Sequence, residues 1–399
     1  MVSKQEKTVY GSVVLDQARD SNDADAAALM VPITVNGVQH KARYWVCLPA
    51  AVQASSEVFF PLALLTAMFV GVDLHCEEPI SARLLANVGA IEDIWGAWSE
   101  RSRIAVFAQP RSGRPSAPKG VASFFSGGID SFYTVLTHLD EISHLIAVGG
   151  FDVPFGNGAL WEKIIGPLRQ AAAQLGKPLI EVRTDLRSFT DKYLSWEDAH
   201  GAAMASIALL LSPMFSRVLV PGSGTYATLL PWGTHPLLDP LWSTDETQLV
   251  PDGYQSTRFQ KLSFISENPI VLETLRVCWH NTGNTYNCGN CGKCLQAMAM
   301  LRAIGRLQNA KTFPHTFNLR QMSRRCGFGE LDVPVGYLFQ RSLRMALEHV
   351  KSTGTDPALA QALQECVAGK YHAGFWRIWY RFADRFQAAW RRFSKPTTS

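Results

Sequence analysis

No stretch of this 399-residue chain supplies the about 18 consecutive apolar residues that a bilayer-crossing helix needs, and its first seven residues lack the apolar core of a secretory leader. A cytoplasmic protein is expected. Charge of one sign is also scarce: the formal net charge of +4 is too mild to argue for nucleic acid, which is not the expected partner. Cysteine is sparse, eight in all, and a chain this long with 47% hydrophobic residues can bury a core without disulfide staples. Length alone suggests two or three domains.

What is present begins with Ser126-Gly127-Gly128-Ile129-Asp130-Ser131, between an apolar run at 121–125 and a helical stretch at 132–139. The order is strand, glycine turn, helix start. Such a turn aims several backbone N–H groups at one point, where the helix dipole also favours negative charge, so it can hold phosphate. The hydroxyls of Ser126 and Ser131 add donors, and the carboxylate of Asp130 makes sense beside phosphate if it holds a divalent cation. An ordinary N-capped helix would explain one Ser or Asp but not the paired glycines with both serines. The segment has neither G-x-G-x-x-G spacing nor a Gly-Lys-Ser/Thr after its glycines, which excludes the dinucleotide fingerprint and the Walker loop.

A second constellation is Cys278, Cys288, Cys291 and Cys294, spaced C-x9-C-x2-C-x2-C, with Gly289 and Gly292 allowing tight folding between them. Four thiolates so spaced suit a closed tetrahedral zinc (Zn2+) site, with an iron–sulfur cluster as the competing use. With no open position, the site reads as structural. The other cysteines, Cys47, Cys76, Cys326 and Cys366, are scattered, though Cys326 or His280 could replace one ligand.

The hexapeptide resembles the S-G-G-x-D-S signature of the PP-loop ATP pyrophosphatases, the superfamily of GMP synthetase, asparagine synthetase, tRNA-thiolating enzymes and 7-cyano-7-deazaguanine synthase. A PP-loop followed about 150 residues later by a cysteine group is similar to the 7-cyano-7-deazaguanine synthase family over residues 119–305. Arg276-Val277-Cys278-Trp279 stands where that family has its first zinc cysteine, and Cys288-Gly289-Asn290-Cys291-Gly292-Lys293-Cys294 matches its C-G-x-C-x-x-C group. The family's tyrosine-proline-aspartate-cysteine substrate segment has no counterpart; residues 230–244 stand there instead. The resemblance implies ATP and magnesium (Mg2+) as co-substrate and cofactor, with Ser126, Gly127, Gly128, Ile129 and Ser131 on the pyrophosphate and Asp130 on the magnesium. It also implies attack of a substrate oxygen on the α-phosphorus, and Lys261 facing the phosphates, where it would offset leaving-group charge.

Around this segment, β-rich runs at 121–125, 145–148, 179–182 and 218–220 alternate with helical patterns near 159–175 and 198–211. The expected fold class is α/β, a doubly wound parallel sheet of the PP-loop type, occupying 119–309. Ligands gather at the carboxyl ends of such strands. There lie Asp152, which could meet ribose or adenine or simply end a turn, the polar run Arg183-Thr184-Asp185, and Gly222 in Pro221-Gly222-Ser223-Gly224. A β-rich α+β N-terminal domain is expected over 1–108, with an Asn36-Gly37 hairpin, helices near 58–72 and 82–88 and a strand near 103–107. Residues 109–118, with three prolines, read as a linker.

The substrate side is expected at 232–245, which crowds His235, Asp239, Ser243, Thr244 and Asp245 with two tryptophans and is costly to bury without partners. His235 reads as an acid or base or as a turn cap, and Asp239 and Asp245 as further magnesium ligands beside Asp130. From 310 the chain reads as helical. Residues 375–393 place Phe375, Trp379, Phe382, Phe386, Trp390 and Phe393 in one stripe opposite Arg377, Arg381, Arg385 and Arg392, a basic amphipathic helix that docks on its own protein, a partner, a second copy or an anionic membrane surface.

The expected function is therefore an AMP- and pyrophosphate-forming ligase that adenylates a carboxylate or amide-like oxygen of a small-molecule substrate and transfers ammonia or an amine. No glutaminase domain is evident to supply the nitrogen. One alternative is sulfur transfer, which would need a reactive cysteine near the loop. The other is a nucleotide-binding or partner-binding protein without turnover.

Overall fold

The computed structural model describes residues 12–21, 27–47, 50–99, 101–113, 120–326 and 333–368. Its strands are β1 (Ser12–Leu15), β2 (Arg19–Ser21), β3 (Ala27–Val35), β4 (Val38–Val46), β5 (Asp73–Cys76), β6 (Ile80–Ser81), β7 (Val106–Phe107), β8 (Pro110–Arg111), β9 (Gly120–Phe124), β10 (His144–Gly149), β11 (Leu179–Thr184), β12 (Phe215–Pro221) and β13 (Gln248–Asp252). All but β6 and β8, which pair with each other, form an 11-stranded sheet in the order β13-β12-β9-β10-β11-β4-β3-β1-β5-β7, with β2 beside β3. The chain is thus of α/β class.

From β9 to β13 every pairing is parallel. β9 lies in the middle, the chain winds outward through β10 and β11, then returns to β12 on the opposite flank. In such sheets a reversal of this kind is where a ligand crevice forms, here at the carboxyl ends of β9 and β12. Helices cover both faces because successive strand residues point in opposite directions: Phe124, Ile146, Val218 and Val220 enter one core, whereas Leu145, Ala147 and Leu219 enter the other. The first core is closed by α1 (Phe60–Val70), α2 (Ala82–Ser99), α5 (Arg187–Thr190) and α6 (Trp196–Leu210). The second is closed by α3 (Ile129–Thr137), α4 (Gly158–Gln174), α7 (Arg258–Ile265), α8 (Pro269–Thr274), α9 (Gly292–Ala303), α11 (Val333–Thr353) and α12 (Pro357–Val367), with Met322 of α10 (Leu319–Arg325).

Local chemistry explains the elements that were expected. Asn36 and Gly37 both take positive φ, the pattern of a two-residue hairpin turn, and pair Val35 with Val38. Along β3 the buried set Leu29, Val31, Ile33 and Val35 has the two-residue period of a half-buried strand. Two features differ from expectation. β13, which is not among the expected strands, contains Pro251, and its edge position is the one in a sheet that tolerates proline. And the N-terminal strands do not form a sheet of their own: β4 pairs antiparallel with β11, so one sheet runs across the expected boundary. Residues 110 and 111 of the expected linker are a strand too, β8.

No helix among the described residues is long and apolar enough to cross a membrane. The amphipathic pattern at 375–393 lies outside the described residues.

Candidate functional site

The turn from β9 into α3 is built as its residues dictate. Gly127 sits at φ 71, open to glycine at little cost, and a Cβ there would come within 2.6 Å of Leu168 Cδ2. Gly128 is the N-cap of α3 in extended conformation, leaving the first-turn N–H groups of α3 at the crevice. Ser131 Oγ donates to Gly128 O at 3.1 Å, and Ser126 Oγ lies 3.4 Å from Ser131 Oγ, so both hydroxyls gather at the turn.

Asp130 is the meeting point of segments far apart in sequence. Its carboxylate takes Lys261 Nζ at 3.1 Å, Arg258 Nη1 at 3.2 Å and Ser223 Oγ at 3.3 Å. Burial alone would raise its pKa, but Arg258, Lys261 and, more weakly, Lys293 hold it below the ordinary carboxylate range. Arg258 and Lys261 stand three residues apart on α7, hence on one face, and Thr257 with Gln260 caps that helix reciprocally. Lys261 is 0% exposed; it also donates to Gly222 O at 2.5 Å and lies 5.5 Å from the Tyr133 ring. Gly222 is required by contact rather than by φ: a Cβ would stand 2.3 Å from Tyr254 Cε2.

The expected magnesium site of Asp130, Asp239 and Asp245 is not formed. Both oxygens of Asp130 are engaged by cations, and Asp245 accepts from Ser81 Oγ at 3.2 Å. His235 and Asp239 close a turn on themselves: the His235 N–H donates to Asp239 Oδ1 at 3.1 Å, and the Leu237 N–H to His235 Nδ1 at 3.1 Å. Burial pushes the Asp239 carboxyl up to about 8 and lowers His235. The turn-cap reading of His235 is the one its contacts satisfy. Asp185, at the end of β11, is likewise occupied, accepting from Arg43 N and Nε, both at 2.8 Å, and so tying β4 to β11.

Cys278, Cys288, Cys291 and Cys294 converge, with all four Sγ within 4.8 Å of one another. They are the one such group of potential metal ligands among the described residues. A tetrahedron of about 2.3 Å metal–sulfur bonds has edges of about 3.8 Å, and Cys288 Sγ and Cys294 Sγ are 3.8 Å apart. That spacing accepts a single ion such as zinc and leaves no room between the thiols for a multi-iron cluster. Gly289 at φ 66 turns the chain so that the N–H groups of Asn290 and Cys291 point at Cys288 Sγ, at 3.5 and 3.2 Å, which favours a thiolate. Hydrogen bonds from Cys291 and Cys294 hold Cys278 far below the usual thiol range, and the bond to Cys278 pushes Cys291 up to about 12. Cys326 is not part of the group; its thiol is 3.5 Å from Gly292 O.

The cysteine group and the turn at 126–131 are neighbours, which the sequence did not disclose. Arg276 N donates to Gly127 O at 2.8 Å, and Arg276 Nη2 to Asn281 Oδ1 at 2.7 Å. Asn281 Nδ2 in turn donates to the backbone oxygen of Asp152 at 2.7 Å, while the Asp152 side chain is exposed. Arg258 and Lys261, two cations against the one carboxylate of Asp130, thus meet beside the turn, to which the backbone N–H of Arg276 is also bonded. Such an excess, with N–H groups facing the same point, suits a polyanion.

The chain matches no family model, no curated protein and no solved structure.

Proposed function

We propose that this chain is a PP-loop ATP pyrophosphatase and acts as an AMP- and pyrophosphate-forming ligase with chemistry similar to 7-cyano-7-deazaguanine synthase. The observation that supports this reading is the crevice where the strand order reverses. There the turn at 126–131, with the full S-G-G-x-D-S pattern, meets buried Lys261 and Arg258 across Asp130. The first-turn N–H groups of α3 and the hydroxyls of Ser126 and Ser131 hold the β- and γ-phosphates. Asp130 is a positioning residue: it fixes Lys261 and Arg258, which neutralise charge on the departing pyrophosphate. Magnesium arrives on the nucleotide, and Ile129 and Ser131 reach the phosphates through the turn of α3.

In this scheme an oxygen of the substrate's carboxylate or amide-like group attacks the α-phosphorus, the bond to the β-phosphate bridging oxygen breaks, and pyrophosphate leaves. Ammonia or an amine then attacks the activated carbon, loses a proton and expels AMP. Asp152 and Gly222 border the nucleotide, and the metal site, closed by four cysteines, holds structure rather than substrate. Sulfur transfer gains no support: burial raises the Cys47 thiol and pushes Cys76 up to about 12, the opposite of an activated nucleophile.

The test is isotope exchange between labelled pyrophosphate and ATP with purified protein, magnesium and a panel of carboxylate and amide substrates. Exchange that appears with one substrate and is lost in Lys261→Met is expected. Calorimetry showing no affinity for magnesium-ATP or pyrophosphate would refute nucleotide binding itself, whereas affinity without exchange across the panel would favour a binding protein.

A further inference from the structure

Both ends of α3 are bonded into the site. In its first turn Asp130 takes Lys261 Nζ at 3.1 Å. Toward its other end Thr134 Oγ1 donates to Asp252 Oδ2 at 2.7 Å, and His138, the C-cap, sets Nε2 3.0 Å from Asp252 Oδ1 and Nδ1 2.6 Å from Glu141 Oε1. Asp252 ends β13 and is bonded onward: its carbonyl takes the Gly222 N–H at 2.8 Å, and the Gly222 carbonyl takes Lys261 Nζ at 2.5 Å. The next residue, Gly253, passes so close that a Cβ on it would stand 3.0 Å from Lys261 Nζ. These bonds close a ring from α3 through Asp252, Gly222 and Lys261 back to Asp130.

An ionised carboxylate only accepts hydrogen bonds, and a neutral imidazole has a single N–H to give. With a carboxylate oxygen at each ring nitrogen, His138 satisfies both only as the imidazolium; without its second proton, a lone pair faces one of the two. From β12, Arg217 reaches the same group by pairing with Glu141; Arg217 first, and His138 after it, hold that carboxyl below its ordinary range. From α7, Lys261 and Arg258 face Asp130 at the far end of α3. The His138 side chain is 30% exposed, so water can deliver and remove its proton. We propose that Asp252 is a positioning residue for Lys261 and that the proton on His138 sets how firmly it is held, so that polyphosphate affinity at the turn falls as His138 becomes neutral.

This regulation rests on the nucleotide-binding reading, and the experiment separates the two. Inorganic pyrophosphate with magnesium is titrated by calorimetry into full-length wild type, His138→Gln, Asp252→Asn and Thr134→Val, at pH about 5.5 and about 8.5, either side of the span in which imidazoles change charge. Melting temperatures show which variants are folded, and comparison with wild type at the same pH cancels titration of the ligand. His138→Gln cannot carry the charge, so it should bind about threefold or more weakly than wild type at the lower pH and equally at the higher. Asp252→Asn keeps an acceptor for Thr134 but no charge for His138; it should show the same gap, closing with pH, and carries the test if His138→Gln is unfolded. Thr134→Val loosens Asp252 without titrating and should be weaker at both pH values. A gap that is absent at the lower pH, or equal at the two, in His138→Gln and Asp252→Asn overturns the inference alone. Absence of any binding by the wild-type protein at either pH removes the nucleotide reading and the inference with it.

Discussion

A lysine ammonium wholly removed from water is tolerable only while its partners stay in place, and Lys261 has three: Asp130, the Gly222 carbonyl and the face of Tyr133. Replacing Asp130 with alanine leaves Lys261 and Arg258 facing each other, and removing one member of a buried pair costs about 3–5 kcal/mol. Urea unfolding should show that loss, and pyrophosphate should restore part of it by standing in for the carboxylate; no loss in the variant would mean the pair is not stabilising. Asp239 makes the opposite case. Its carboxyl is 1% exposed and pushed up to about 8 by burial, with only the His235 N–H opposing. A group whose folded pKa lies above its unfolded value of about 4 adds stability fully below that value and loses it as pH rises toward 8. Asp239→Asn should therefore flatten the fall in urea midpoint between pH 5 and pH 8.5, and equal slopes in the two proteins would contradict the assignment. The contrast shows what single residues disclose. Ser126 to Ser131 were legible because the whole motif is contiguous. His235 and Asp239 looked like a site because polar groups crowd among tryptophans; their hydrogen bonds close a local turn and leave Asp239 Oδ2 buried without a hydrogen-bond partner. Arg276 was hidden, since only the fold brings its N–H to the Gly127 carbonyl.

Among elements, the turns and short strands that join units decide where the chemistry sits. Gly222 follows β12 and abuts the Tyr254 ring, so Gly222→Ala must push the ring aside and disturb the carbonyl that Lys261 uses. A cost of about 1–3 kcal/mol in stability is expected, with weaker magnesium-ATP binding by calorimetry; a neutral variant would show that Tyr254 yields freely. The proline-rich stretch at 109–118 read as a linker because Pro breaks strands, yet β8 is held by more than its two-residue pairing with β6. Arg111 bridges Glu57 at 2.8 Å and Glu246 at 2.6 Å, and Ser81 N–H also donates to Glu57. This clasp joins the N-terminal region to the segment before β13. Arg111→Met leaves two largely buried carboxylates without a cation, for a cost of about 3–5 kcal/mol, and adding Glu57→Gln with Glu246→Gln should recover most of it. Thermal and urea unfolding of the single and triple variants measure this, and a triple variant no more stable than the single one would deny the clasp. Sequence periodicity found the parallel strands β9 to β12 but neither β13 nor the clasp, because ion pairs between distant segments leave no periodic trace.

At the scale of the molecule, two cores lie back to back on a sheet that does not stop at residue 119. Tyr44, Trp45 and Val46 of β4 pair with Thr184, Arg183 and Val182 of β11, Trp45 stacks on Phe155, and Arg43 is bonded twice to Asp185. On one face, α6 is buried along almost its whole length because α1 covers the side that the sheet does not. The expectation of a separable front domain came from a change in composition, and composition cannot show that two strands far apart in sequence share hydrogen bonds. A fragment beginning at residue 119 would leave the outer edge of β11 unpaired and strip the apolar cover from α6, both routes to association rather than to a folded monomer. Expressed alone, it should aggregate or show dye-binding apolar surface and no cooperative melting transition. Supplying residues 1–113 as a second chain should restore a cooperative transition, because the missing strand and helix return to the same edge and face. A 119–399 fragment that is monomeric by sedimentation and melts as sharply as the full chain would show instead that the second core and the parallel strands stand without the front region.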